Sequence, residues 1–123
     1  HIISIIVGPE VISGSTRMKA GTATKMVLNM ITTTLMIKLN KTYGNLMVDL
    51  KASNEKLWDR GTRIIQHLTD LSYDDSLKLL QSADGEVKTA IVMEKLKMEA
   101  GDTREKLNEN KGSLRKVLDG ELS

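Results

Sequence analysis

The chain has 123 residues and a mass of 13.6 kDa, the size of one ordinary domain or of one domain with a small appendage. Hydrophobic residues make up 40% and charged residues 28%, a balance typical of a folded globular protein and not of a disordered one. The formal net charge is only +2, so charge alone gives no reason to expect a nucleic acid as partner.

The residue types that are scarce in the chain exclude several kinds of chemistry. The sequence contains no cysteine, which excludes disulfides, thiolate nucleophiles and cysteine-based zinc sites. The two histidines, His1 and His67, are far apart, which leaves little material for a histidine metal site or a Ser-His-Asp triad. Aromatic residues make up 2% of the chain, too few for a base-stacking surface. We therefore expect no metal and no nucleic acid.

The chain opens with a β-branched apolar run that predicts a buried strand over residues 2–7. The run has no charged region before it and no cleavage site after it, so it is not a signal peptide. A buried strand needs neighbouring strands, and parallel neighbours are usually joined through helices. Because the rest of the sequence offers no second convincing strand, we expect the chain to begin in the middle of a larger fold.

A long helix is predicted over residues 16–39, after a turn at Gly8-Pro9 and a loop over residues 10–14, with Ser15 or Thr16 as its N-cap. Apolar side chains cover more than one face of this helix, so we expect it to be largely buried. It is not a membrane span, because charged and polar side chains interrupt it well short of the roughly 20 apolar residues that a span needs.

The middle of the chain is ambiguous at first and then helical. Residues 40–51 fit either a short strand or a loop with buried apolar anchors. A second helix is predicted from a cap at Ser53 or Asn54 to about His67, with Gly61 inside it to allow close packing.

From residue 71 onward the pattern predicts a compact unit of short helices joined by turns. We place a turn at Asp84-Gly85 and a helix break at Gly101-Asp102. The helices are predicted over residues 74–82, 86–99, 103–108 and 113–118.

The segment over residues 8–23 has the residue types of an anion-binding loop. A turn of small residues leads into a helix N-terminus, where backbone N–H groups and the helix dipole favour an anion. Glu10 supplies one carboxylate, and hydroxyl and cationic side chains add donors, namely Ser13, Ser15, Thr16, Arg17 and Lys19. A phosphate site beside an acid/base carboxylate is what a sugar-phosphate enzyme needs. The residue types alone fit a well-capped helix with solvated charges equally well.

The same segment resembles the signature of N-acetylmuramic acid 6-phosphate etherases and of the related glucokinase regulatory protein. The resemblance rests on the string GPEVISGSTRMKAGTATKMVLNM over residues 8–30. It continues over residues 43–49, 53–57 and 85–93, and it covers essentially the whole chain. A run of this length and order is far more specific than a shared short motif.

The resemblance implies an α/β fold in which this chain, itself mostly α, is the C-terminal portion. Residues 1–70 would supply the last strand and helix of a doubly wound sandwich, the sugar isomerase (SIS) domain, which binds phosphosugars. Residues 71–123 would form a small all-α module similar to three-helix ubiquitin-associated (UBA) domains.

The resemblance also implies a cytoplasmic homodimer that acts without metal or cofactor and away from membranes. Its substrate would be a phosphorylated amino sugar, N-acetylmuramic acid 6-phosphate, whose D-lactyl ether is cleaved to N-acetylglucosamine 6-phosphate and D-lactate in cell-wall recycling. The alternative is a non-catalytic phosphosugar-binding regulatory module or a helical interaction module.

No position in this chain can receive the Ser/Thr-rich phosphate loop or the two acid/base glutamates of the family. Glu10 is then the candidate auxiliary acid or base, or a ligand to a substrate hydroxyl group. The candidate substrate contacts are Ser13, Ser15, Thr16, Arg17 and Lys19.

Overall fold

The computed structural model describes residues 1–120, which fall into two compact units, residues 1–38 and the residues from 39 onward. In the first unit, residues 1–18 form no helix or strand and lead into α1 (Lys19–Lys38). The second unit contains a small hairpin and five helices: β1 (Thr42–Tyr43), β2 (Leu46–Met47), α2 (Glu55–Thr69), α3 (Tyr73–Ser82), α4 (Val87–Leu96), α5 (Ala100–Glu109) and α6 (Leu114–Asp119). The described part of the chain is thus mostly helical, and none of its helices is long and apolar enough to cross a membrane.

The strand predicted over residues 2–7 is not formed in the structure. Ile2 and Ile6 are each 95% exposed, although the pattern is typical of a buried strand. A strand exists only through hydrogen bonds to a neighbouring strand, and no segment within residues 1–120 pairs with this one. The apolar run therefore forms no regular element here.

Helix α1 confirms the long helix predicted over residues 16–39, but the expectation that it is largely buried is wrong for this structure. No residue of α1 is buried, and Met26 and Met30 remain 59% and 64% exposed. A helix with apolar side chains on several faces needs partners on several faces. Residues 1–38 contain no second helix or strand that could provide them.

The ambiguous segment over residues 40–51 forms a hairpin followed by a short stretch that pairs with the start of α4. Its strands β1 and β2 are antiparallel. The side chain of Val48 is fully buried, so the segment also supplies a core anchor. The Ala52 N–H then donates to the carbonyl of Gly85 at 2.8 Å, and the Val87 N–H donates to the carbonyl of Leu50 at 3.3 Å. These bonds fasten the hairpin to the helical core.

Helix α2 begins and packs as the sequence predicts. Of the two candidate caps, Asn54 is used, since its side chain accepts a hydrogen bond from the Leu57 N–H at 3.0 Å. Gly61 does allow close packing, because a Cβ atom there would lie 2.9 Å from Cδ2 of Leu80 and 3.0 Å from Cγ2 of Val87. The absent side chain thus lets α3 and α4 approach α2.

The short helices after residue 71 are confirmed with one correction. The predicted break at Gly101-Asp102 is wrong, because both residues lie inside α5. The chain instead leaves α4 through Lys97, whose φ of 52° is left-handed and ends the helix. The core shared by α2, α3, α4 and α6 contains the fully or almost fully buried residues Ile65, Leu80, Ile91 and Leu114. The domain division after residue 70 stays a prediction.

We expect Gly61→Ala to destabilise the chain. The added methyl group meets two core side chains that cannot move into solvent, and such overpacking costs about 1–3 kcal/mol of unfolding free energy. Gly101→Ala on α5 is the matched control, because a Cβ atom there meets nothing within 4 Å. The control should gain up to about 1 kcal/mol from helix propensity. Urea unfolding measures both variants, and equal stability of the two would contradict the packing role of Gly61.

Candidate functional site

Glu10, the predicted acid or base, caps the N-terminus of α1. Its Oε2 accepts a hydrogen bond from the Lys19 N–H and its Oε1 accepts one from the Ala20 N–H, each at 3.0 Å. These bonds stabilise the ionised carboxylate, so the pKa of Glu10 is lowered, first by the Ala20 N–H and then by the Lys19 N–H. A carboxylate with a lowered pKa is a weaker proton acceptor near neutral pH.

The other N–H groups of the first turn of α1 are also satisfied within the chain. The Gly21 N–H donates to the carbonyl of Thr16 at 2.9 Å, and the Thr22 N–H donates to the carbonyl of Met18 at 3.2 Å. The four consecutive amides of residues 19–22 are therefore all hydrogen-bonded, the last of them in the first regular helical bond. A ligand could therefore bind the Lys19 and Ala20 N–H groups only by displacing Glu10.

The predicted N-cap at Ser15 or Thr16 is wrong, because the side chain that caps α1 is Glu10. The helix begins at Lys19, later than the sequence indicates. The carboxylate reaches the helix from a position nine residues before it. Cap rules look for a short polar side chain immediately before the helix, so they miss a cap that the chain supplies from the far side of a loop.

The predicted substrate contacts line one exposed loop. Ser13, Thr16, Arg17 and Lys19 are exposed and Ser15 is partly exposed. The structure brings together the two ends of this loop, since Nζ of Lys19 donates to the carbonyl of Pro9 at 2.9 Å. The roles of these five residues as substrate contacts stay predictions.

A second group of polar side chains surrounds a concavity in the second unit, and sequence analysis missed it. The concavity lies between the segment after β2, the start of α4 and one side of α5. Its charged lining residues are Asp49, Lys51, Glu86, Lys88 and Arg104. The signal in the sequence is a lysine within an otherwise apolar helix start, since Lys88 follows Val87 and precedes the buried pair Ala90 and Ile91.

Lys88 is the most enclosed cation of this pocket, with only 11% of its side chain exposed. Its Nζ lies 2.8 Å from Oδ1 of Asp49 and donates to the carbonyl of Gly112 at 2.9 Å. Asp49 also pairs with Lys41 through Oδ2. Burial is the largest single influence on Asp49 and raises its pKa, but the bonds from Lys41 and Lys88 outweigh it, so the pKa is lowered overall.

Glu86 is the second shared carboxylate of the pocket. Its Oε2 lies 2.8 Å from Nε of Arg104 and accepts from the hydroxyl of Thr89 at 3.0 Å, while Oε1 lies 3.2 Å from Nζ of Lys51. Burial alone would raise the pKa of Glu86, yet the bonds from Arg104, Thr89 and Lys51 lower it overall. A second nitrogen of Arg104, Nη2, lies 2.6 Å from Oδ2 of Asp84.

Each of the two pocket carboxylates therefore contacts two cations. Asp49 contacts Lys41 and Lys88, and Glu86 contacts Lys51 and Arg104. Such pairing holds the enclosed Lys88 side chain most firmly, because it has two partners and little exposure. Within residues 1–120, no group of three or more histidine, cysteine, aspartate or glutamate side chains is placed to hold a metal ion.

Comparisons with known proteins give matches that include the loop before α1 and the charged pocket. A family model of the C-terminal lid domain of glucokinase regulatory protein matches residues 44–87, a range that includes Asp49 and Glu86. N-acetylmuramic acid 6-phosphate etherases from Bacillus pumilus and Rhodopirellula baltica are each 52% identical to this chain, over 94% and 95% of its length. The etherase of Bacillus subtilis is 50% identical over 97% of the chain.

The resemblance to the etherases is confirmed. It extends over both units of the chain, because the aligned part covers all but a few of its residues. The chain spans 38% of the Bacillus pumilus etherase and 39% of the other two, about two fifths of the length of the curated relatives it matches.

We expect the stability of the chain to fall in acid because of Asp49 and Glu86. Their ordinary pKa values are 3.8 and 4.5, and both are lower in the folded chain. The stability they contribute is present above those ordinary values and is lost as pH falls through the lowered ones. The urea midpoint should therefore decline from about pH 5 downward.

The double variant Asp49→Asn with Glu86→Gln should be less stable at pH 7 and should lose less stability on acidification. Glu105→Gln on the exposed side of α5 is the control and should leave the pH profile unchanged. A double variant with the parent's acid profile would show that other groups govern acid unfolding.

Proposed function

We propose that this chain is part of an N-acetylmuramic acid 6-phosphate etherase. The observation that carries the proposal is the 52% identity to an etherase over 94% of the chain, including the loop with Glu10 and the charged pocket. In this proposal the enzyme cleaves the D-lactyl ether of the substrate, leaving N-acetylglucosamine 6-phosphate and D-lactate, by elimination of lactate followed by addition of water.

The loop over residues 10–19 is proposed to contact the phosphorylated amino sugar. Its exposed hydroxyl groups and the cationic side chains of Arg17 and Lys19 suit an anionic, hydroxyl-rich ligand. Glu10 is bound at both oxygens to the start of α1, which disfavours the acid/base role predicted for it. We propose that the acid and base are other carboxylates, in the part of the relatives that this chain does not span.

The larger architecture is proposed as well. The exposed apolar side chains of α1 and of residues 2–7 support packing of this segment as the last helix and strand of an SIS sandwich. We further propose a cytoplasmic homodimer that works in cell-wall recycling, with a UBA-like helical module over residues 71–123.

A second candidate function is non-catalytic phosphosugar binding in a regulatory protein. The specific observation that favours it is the match of residues 44–87 to the lid domain of glucokinase regulatory protein. The second unit has its own hydrophobic core, so the same helices can serve as a lid or as an interaction module in either kind of protein.

Etherase activity can be tested with a chimera in which this chain replaces the matching part of the Bacillus pumilus etherase. We expect the chimera to release D-lactate from N-acetylmuramic acid 6-phosphate at a rate within about tenfold of the parent enzyme, because the site residues come from closely similar sequences. The chain alone should release none. A folded chimera that binds the phosphosugar without releasing D-lactate would favour the regulatory function.

Arg17→Ala in the chimera should weaken phosphosugar binding about tenfold or more. A hydrogen bond to a charged group contributes about 1.5–3 kcal/mol, and Arg17 holds none of the bonds that close the loop. The double change with Lys19→Ala should weaken it further. Calorimetry measures the affinity, and Lys38→Ala at the opposite end of α1 is the control. Unchanged affinity in the double variant would assign both cations to other roles.

A further inference from the structure

We infer that Glu10 is a positioning residue that closes the proposed substrate loop onto the start of α1. This inference rests on the proposed function, because it concerns the loop proposed to hold the phosphosugar. The side chain acts through the loop and not on the reacting atoms. It thereby fixes the positions of the loop hydroxyl groups and of Arg17.

The geometry at the base of the loop carries the inference. Glu10 makes two hydrogen bonds, one from each carboxylate oxygen, to the N–H groups of Lys19 and Ala20. Lys19 also donates a bond from its Nζ to the carbonyl of Pro9. Three bonds thus tie residues 9–10 to residues 19–20, and we call this set the Glu10 clasp.

The loop between the two halves of the clasp has little else to hold its shape. The Ser15 N–H donates to the carbonyl of Ile12 at 3.1 Å, forming a turn at Gly14, whose φ is 82°. Val11 and Ile12 are 77% and 71% exposed, so apolar burial adds little to the order of the loop in this structure. Fixing each backbone residue costs about 1–2 kcal/mol, so losing the bonds at the base should leave the loop less ordered.

The same bonds argue against proton transfer by Glu10. Each oxygen accepts a charge-assisted bond from the backbone, and these bonds oppose protonation of the carboxylate. An acid or base in the reaction must gain and release a proton in each cycle. Glu10 would have to break the clasp each time, which would release the loop that holds the substrate.

The test uses the chimera with Glu10→Gln and Glu10→Ala. Glutamine keeps one acceptor oxygen for one of the two amides, so it should raise KM about tenfold with kcat within about threefold of the parent. Alanine removes both acceptors and should raise KM about 100-fold. Neither variant should remove a limb of the pH–rate profile. Glu55→Gln, in the first turn of α2, is the control and should change nothing.

Amide hydrogen exchange gives a readout that does not depend on activity. Exchange at the Lys19 and Ala20 amides should be slow in the chimera, faster in Glu10→Gln and faster still in Glu10→Ala. Parent-like exchange in Glu10→Ala would overturn the clasp. A fall in kcat of more than about 1,000-fold in Glu10→Gln, with the loss of a pH limb and an unchanged KM, would show proton transfer and also overturn the inference.

The two ideas can fail separately. If the unsubstituted chimera releases no D-lactate, the proposed etherase function fails. The clasp is then decided by amide exchange together with the affinity of the Glu10 variants for N-acetylglucosamine 6-phosphate. Faster exchange with weaker binding supports the positioning role, and any other combination overturns it.

Discussion

The close approach of α2 to α3 and α4 at Gly61 is the constraint on which the second unit depends. With no side chain at this position, Leu80 and Val87 fill the space beside α2. The start of α4 is thereby fixed next to the segment that leaves the hairpin, and Leu50 and Ala52 pair with residues 85–87. A larger residue at position 61 would push apart the surfaces that carry this pairing.

The charged pocket follows from that pairing. Because Leu50 pairs with Val87, Asp49 lies opposite Lys88 and Lys51 lies opposite Glu86, so backbone register places each carboxylate beside a cation. Partial burial makes these charges costly unless they remain paired, and a single neutral substitution removes one ion pair from a partly buried cation. The ion pairs therefore connect the segment after the hairpin to α4 and α5, and they hold Lys88 and Arg104 at the wall of the pocket.

The loop before α1 shows that the residue type of a carboxylate does not reveal which groups its oxygens contact. Glu10 has the composition and position of an acid or base, yet both its oxygens are bound to the helix start. The same contact explains why α1 begins at Lys19 and why its first two amides are hydrogen-bonded. In the positioning role proposed for Glu10, the carboxylate shapes the loop and does not move a proton.

The sequence by itself determined the features that depend on neighbours along the chain. The existence of the helices and a cap for α2 at Ser53 or Asn54 follow from local patterns, and the etherase resemblance follows from residues 8–30. Tertiary structure alone decided the cap supplied by Glu10, the pairing of Asp49 with Lys88 and the exposure of α1. The cap and the ion pair join residues that are not neighbours in the sequence, and the exposure of α1 depends on which surfaces pack against it. A local sequence pattern contains neither kind of information.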